Sequence, residues 1–300
     1  MSKQNEIKEQ TNSVVNLPYL ESNEATIELL LKLGAHFGHQ TQRWHPSMKE
    51  HIYTERNGIH IIDLVKTIDN FNKALDHLYE YAKRGEILFV STKPQLRELV
   101  KNAAIKSKSH FVINRWPGGL LTNYQMSQKS VKKFNEMVSS FYQGIHNRTK
   151  KEMLKMVDHI RRLEFLYGGL RSFNKKFSCV VVIDPKLSKI AVKEASVSGI
   201  PVVAIADTNS PTTNINHIIP CNDDAIGPVE FLLERIADTI LLGNQGKGVE
   251  YKPVNFDELT ELANNMNKNL DKTDQAGQNK RVIRVTKEQV SKIVKQRKQK

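Results

Sequence analysis

The stretch Cys179-Val-Val-Val-Ile183-Asp184-Pro185, continued by Ile190-Ala-Val-Lys-Glu-Ala195 and by Gly199-Ile-Pro-Val-Val-Ala-Ile-Ala-Asp207, decides the fold. Cys179–Ile183 is an unbroken apolar run of strand length, the pattern of a strand buried on both faces. It stops at an acid followed by proline, which is turn chemistry. Ile190, Ala191 and Ala195 mark a helix, and Gly199 closes it. Pro201–Ile205 is a second buried strand, ending at Asp207. Strand, helix, strand with so little between them is the unit of a parallel sheet covered by helices.

The same alternation extends outward. Upstream, Ile87–Val90 and His110–Ile113 read as strands. Pro94 opens the helix between them, where proline costs nothing in a first turn. Asp63 caps a longer helix over Leu64, Ile68, Phe71, Leu75 and Leu78, and residues 24–33 read as a short helix. Downstream, Ile218-Ile219 is a short strand before a helix from Ala225 to Leu242. The expectation is a three-layer α/β/α parallel sheet of about five strands.

One segment breaks the alternation. Gln125–Phe165 carries two helical periods, Val131/Phe134/Val138/Phe141 and Met153/Met156/Val157/Ile160/Leu163, around a turn at Gly144–Asn147. This reads as an antiparallel helical hairpin that projects from the sheet domain. After Gly243 a linker leads into residues 255–280, whose Asn, Asp, Gln and Lys content favours disorder. Val282, Val285, Val290 and Val294 suit a short basic helix. The expected organisation is a flexible extension over 1–20, a core formed by 21–124 and 166–243, a hairpin insertion at 125–165, and a mostly disordered basic tail over 244–300.

Charge follows this division. The net charge is +13. Residues 124–176 hold 12 Lys/Arg against 4 Asp/Glu, and residues 270–300 hold 10 against 3. The remainder is close to neutral. Positive charge concentrated on an arm and a tail suits a polyanion partner; a solvated helical face with a disordered tail is the plainer alternative. Two isolated cysteines, Cys179 and Cys221, make no disulfide framework. No apolar run reaches transmembrane length, and the N-terminal stretch has no signal-peptide core.

The chemistry-bearing residues point to binding. Gly34-Ala-His-Phe-Gly-His-Gln-Thr-Gln-Arg-Trp-His-Pro46 is a glycine-bearing loop with planar rings and a guanidinium, suited to base stacking and phosphate contact. The histidines His36, His39, His45, His51 and His60 have irregular spacing and no neighbouring cysteine, so no metal site is expected. Asn114-Arg-Trp-Pro-Gly-Gly-Leu-Leu-Thr-Asn123 pairs a cation with a stacking ring, and it equally suits a tight turn around a buried tryptophan. A nucleotide-dependent enzyme is the alternative for a parallel α/β sheet. It lacks a phosphate loop: Ser91-Thr-Lys-Pro94 has no glycine, and Gly246-Lys247 is followed by Gly248 where Ser or Thr belongs. Asp184 and Asp207 lie at strand ends but suit turn formation. Neither catalysis nor a cofactor is expected.

Together these residues resemble the bacterial and organellar form of the small-subunit ribosomal protein two family. The resemblance rests on Gly34–His39 with Thr41 and Arg43-Trp44, Ile52-Tyr53 through Gly58–Asp63, and Asn114-Arg-Trp with Gly118-Gly119 and Leu121-Thr-Asn123. It continues through Leu166–Leu170, Asp184-Pro185, Ile190–Ala195, Gly199–Ile205, Asp207-Thr-Asn209 and Ile219-Pro220 with Asn222–Ile226, collinear over roughly 24–243. Pro117, Cys221 and Gly227-Pro228 depart from the family pattern. The resemblance implies a flavodoxin-like domain with a projecting hairpin. It also implies a place on small-subunit ribosomal RNA between head and body, beside neighbouring ribosomal proteins including the largest one. A cytoplasmic ribosome or an organellar matrix is the implied location, with no membrane or small-molecule substrate. The expected RNA-contacting set is His36, Phe37, His39, Arg43, Trp44, Lys93, Asn114, Arg115, Trp116, Asn123, Lys129, Lys132, Lys133, Arg148, Lys150 and Lys151.

Overall fold

The computed structural model describes residues 17–20, 24–143 and 149–265. Arg148, the Gly144–Asn147 turn and the valines of the basic tail lie outside the described residues. In chain order the elements are α1 (Glu24–Leu33), β1 (Phe37–Gln40), β2 (Ile52–Arg56), β3 (Ile59–Ile62), α2 (Leu64–Arg84), β4 (Ile87–Val90), α3 (Arg97–Lys106) and β5 (His110–Val112). They continue as α4 (Tyr124–Gln143), α5 (Lys150–Tyr167), β6 (Cys179–Ile183), α6 (Lys189–Val197), β7 (Val202–Ala206), β8 (His217–Pro220), α7 (Ile226–Gly243) and α8 (Phe256–Asn265).

Five parallel strands run in the order β5-β4-β6-β7-β8. Renumbered along the parallel sheet this is 2-1-3-4-5, the flavodoxin-like order. Each central strand is apolar at every position because successive side chains feed two different cores. Phe89, Val181, Ile183, Val203 and Ile205 point to the layer of α2, α3 and α7. Leu88, Val90, Val180, Val182, Val202 and Ala204 point to α6 and the 116–121 and 170–177 loops. Asp63 caps α2 through bonds from the backbone N–H of Val65 at 3.1 Å and Lys66 at 3.4 Å. The face of α2 carrying Ile68, Phe71, Leu75 and Leu78 is fully buried. Losing the Phe71 ring to alanine costs about 3–5 kcal/mol at such a site.

The structure departs from the sequence reading in three places. The histidine-rich loop is not a free loop: β1, β3 and β2 form a three-stranded antiparallel sheet in that order. Its β2–β3 turn is Asn57-Gly58, both at positive φ (53° and 74°), the pair that a tight hairpin turn selects. Of the expected extension only residues 17–20 are described, and these are tied down, while residues 1–16 lie outside the described residues. The Leu20 N–H donates to Asn72 Oδ1 at 2.9 Å, and Asn72 Nδ2 donates to the Leu20 carbonyl at 2.8 Å. The segment 249–265 is ordered and ends in α8. Val254, Leu259 and Ala263 are buried with Phe134, Val138, Phe141, Met153, Met156, Val157 and Ile160. The hairpin is therefore the larger part of a three-helix cluster. The polar composition of 255–280 concealed one apolar stripe with a ready-made partner, and burial on that partner outweighs weak intrinsic helicity.

Candidate nucleic-acid interface

The Gly34–Trp44 segment is fastened across the carboxyl ends of β7 and β8. The His39 N–H donates to Thr208 Oγ1 at 2.9 Å, and the His45 N–H to the Thr208 carbonyl at 2.8 Å. Asn222 bonds back twice, from its N–H to the Ala35 carbonyl at 3.1 Å and from Nδ2 to the Gly34 carbonyl at 2.9 Å. Gly38 is required by space: a Cβ there would lie 2.6 Å from Thr208 Cγ2 and 3.0 Å from the His60 carbonyl. Gly34 sits at φ +81° where α1 turns into β1.

His39 belongs to this fastening. Its Nδ1 bonds Asp207 Oδ2 at 2.8 Å and its Nε2 bonds Asn209 Nδ2 at 2.7 Å. The Asp207 carboxylate, itself 1% exposed, holds His39 above the ordinary histidine range against the opposing effect of burial. His39, Asp207 and Asp224 offer ligand-type atoms within 4.8 Å of one another, the one such group among the described residues. Both His39 ring nitrogens already have protein partners. His36 is half-buried with its Nδ1 unpartnered, and burial lowers its pKa; burial likewise lowers that of His51.

Lys93 corrects the sequence reading. It was expected at RNA, but its ammonium is buried and donates to the Asp223 carbonyl at 2.8 Å, to Asp223 Oδ1 at 2.9 Å and to the Asp224 carboxylate. Burial disfavours its charge, and the two carboxylates more than offset that, so its pKa rises. Burial and then Asp184 push the Asp223 carboxyl up, to about 7, against the pull of Lys93. Asp184 itself adopts φ +59° and accepts from the Leu187 N–H at 3.0 Å, closing the turn into α6.

Trp116 is the second correction. It is 9% exposed and packed in the core layer under α6. Its Nε1 donates to Glu194 Oε1 at 3.0 Å; so does the Gly119 N–H at 2.8 Å, and the Leu121 N–H donates to Glu194 Oε2 at 3.1 Å. One carboxylate thus organises the whole 116–121 turn. The ring is held inside and offers no free stacking face. Glu194 was missed from sequence, although an acid between Ala191 and Ala195 on the packed face of a helix is itself a signal, because a carboxylate there must find donors. Asn114 braces the base of the hairpin, with Nδ2 donating to the Phe165 carbonyl at 3.0 Å.

What remains at the surface falls into two groups. Phe37 (48% exposed) and Arg43 lie on the rim of the small sheet, with Trp44 half-buried against His60 at 5.3 Å between ring centroids. Arg115 and Asn123 are exposed at the Glu194-held turn. Lys129, Lys132, Lys133, Lys150 and Lys151 are all exposed on α4 and α5. Thr149 and Glu152 form a capping box at the start of α5.

The chain is a flavodoxin-like domain whose carboxyl edge is covered by its own antiparallel sheet and which carries a lysine-faced helical pair. Residues 30–243 match the family Ribosomal protein S2, and the chain belongs to that family. Its role is that of a structural small-subunit ribosomal protein in translation, associated with the ribosome. Among the described residues, no helix is long and apolar enough to cross a membrane.

Proposed function

We propose that this chain binds small-subunit ribosomal RNA at the head–body junction, chiefly through the outer faces of α4 and α5 and the Phe37/Arg43 rim, and helps dock the largest small-subunit protein. The observation that carries this reading is the exposure of Lys129, Lys132, Lys133, Lys150 and Lys151 on a helical pair packed against α8 and, through Val131, against the sheet's second core layer. The brace is polar as well as apolar. Arg171 Nε donates to Asn135 Oδ1 at 3.0 Å, and Asn135 Nδ2 donates to the Arg171 carbonyl at 2.8 Å. A rigid array of cations loses less entropy on meeting phosphates than a flexible one.

The protein acts here as a scaffold without catalysis. Doubly wound folds seat ligands outside the carboxyl ends of their strands. In this chain that place is filled by the 34–45 segment and by the Lys93–Asp223–Asp224 cluster. The test is reconstitution. Small subunits depleted of this protein should take up the wild type on a density gradient and then accept the largest small-subunit protein. The combined Lys132→Glu and Lys133→Glu variant should be taken up poorly. Full uptake of that variant removes the hairpin from the reading.

A further inference from the structure

An open groove of about 760 Å³ runs between α4 and the loop that follows α5. Its helical wall carries Gln125, Lys129, Lys132, Glu136 and Ser139. Steps of three and four residues align them on one stripe of α4, about 21 Å long at 1.5 Å per residue. Arg171, Phe173 and Asn174 form the loop wall. That wall is fixed to the helix. Gln128 Nε2 donates to the Asn174 carbonyl at 2.8 Å, and the Arg171 guanidinium donates to Asn135 Oδ1 and to the Lys252 carbonyl.

The groove has free cations and no free ring. Lys129 and Lys132 are exposed, and so are Lys175 and Lys176, which directly follow Asn174. Their Cα atoms therefore lie within about 8 Å of that of Asn174. Among the described residues none of these four lysines is in an ion pair, whereas Lys83 and Lys101 on α2 and α3 are paired with Glu80 and Glu98. Glu136 is the single acid in the lining. Phe173 and Val131 close the floor and are themselves buried.

These properties select the occupant. Protein interfaces are centred on aromatic or aliphatic anchors that fill pockets, and every exposed group lining this groove is polar or charged. Recognition of unpaired bases uses exposed rings on which they stack, and none stands here. A sugar–phosphate backbone needs only cations and polar donors along its path. We propose that the groove seats the backbone of an RNA strand, running along α4 past Lys129 and Lys132, with Lys175 and Lys176 as further phosphate contacts, and that it does so without regard to base sequence. The proposal rests on the reading that the chain meets RNA. It deepens that reading by naming the part of the RNA that is held and by adding two lysines from outside the hairpin.

The experiment titrates the full chain, over a range of salt, with uridylate and adenylate dodecamer RNA and with a decaglutamate peptide. It compares the wild type with Lys175→Gln/Lys176→Gln and with Lys73→Gln/Lys83→Gln, which removes the same charge from α2 in the opposite layer. All four positions are exposed, so the melting temperature should stay constant in both variants. The groove variant should weaken binding of both RNAs by the same factor. Its slope of log affinity against log salt should be shallower by about 1.4, at about 0.7 per lysine on a single strand, while the α2 variant keeps the wild-type slope. An equal loss in both variants, or none in the groove variant, overturns the groove and leaves the RNA reading intact. A loss confined to one of the two RNAs overturns backbone recognition, and groove-dependent binding of decaglutamate in preference to RNA makes the occupant an acidic protein segment. No wild-type binding to either RNA also overturns the groove, and the reconstitution above then decides the RNA reading by itself.

Discussion

The Gly34–Trp44 segment and the α4/α5 hairpin look alike in sequence, each dense in residues that could meet RNA, and the structure uses them in opposite ways. In the first, His39 and the backbone around Gly38 turn inward and bolt a small sheet onto β7 and β8. In the second, the apolar stripe turns inward and the lysines turn out. The difference comes from chemistry. Imidazoles, amides and hydroxyls can satisfy one another in a half-dry setting, whereas lysine ammonium groups stay in water unless a carboxylate waits for them. Lys93 is the exception that fits the rule, because Asp223 and Asp224 wait for it.

That contrast can be broken at its inward side first. Glu194→Ala should give the largest loss of stability, about 2–4 kcal/mol, since it strands the Trp116 indole N–H and the Gly119 and Leu121 amides together. Urea unfolding measures it, and a loss near zero would mean that water replaces the carboxylate without cost. Gly38→Ala comes next, at about 1–3 kcal/mol, because its Cβ must displace Thr208 and the His60 carbonyl. Amide exchange should then quicken across β1 and β3 before it does in β6 and β7; uniform quickening would show that the small sheet and the parallel sheet open as one unit.

The histidines sharpen the comparison with a smaller effect. Ring NMR signals should show His39 keeping its proton above about pH 6.5, while His36 and His51 lose theirs below it. A raised folded-state value means that the His39 contribution is complete below about pH 6.5 and is lost as pH rises through that folded value. His39→Gln should therefore cost more stability at pH 5.5 than at pH 8.5. An equal cost at both would detach the Asp207 contact from His39 protonation. On the outward side the stability effect should be smallest. Lys132→Glu with Lys133→Glu should shift unfolding by no more than about 0.5 kcal/mol each, the ordinary range for exposed positions.

Much of the fold was legible because continuous apolar runs leave few options. Ile87–Val90 and Cys179–Ile183 are strands with the bounds their sequence gives, and the Asp63 cap and the helix after it follow from spacing alone. The small sheet was not legible. Its strands are four or five residues long, only Ile62 is buried among their side chains, and β2 turns four of five residues to solvent, so period-two alternation never emerges. At the interface, residue type showed where polar groups gather but not which way they point. Trp116 points inward because Glu194 lies 78 positions away in sequence, a distance over which spacing carries no information. The α8 stripe was likewise invisible without its partner on the hairpin.

The most direct test of the central claim is the salt dependence of binding to small-subunit RNA, measured for the wild type and for a Lys129→Gln/Lys132→Gln/Lys133→Gln variant. Each lysine that neutralises a phosphate should contribute about 0.7–0.9 to the slope of log affinity against log salt. The account predicts a slope shallower by roughly two to three in the triple variant, with the melting temperature unchanged. A slope identical to that of the wild type would contradict it, because the outward lysines of α4 would then face no RNA.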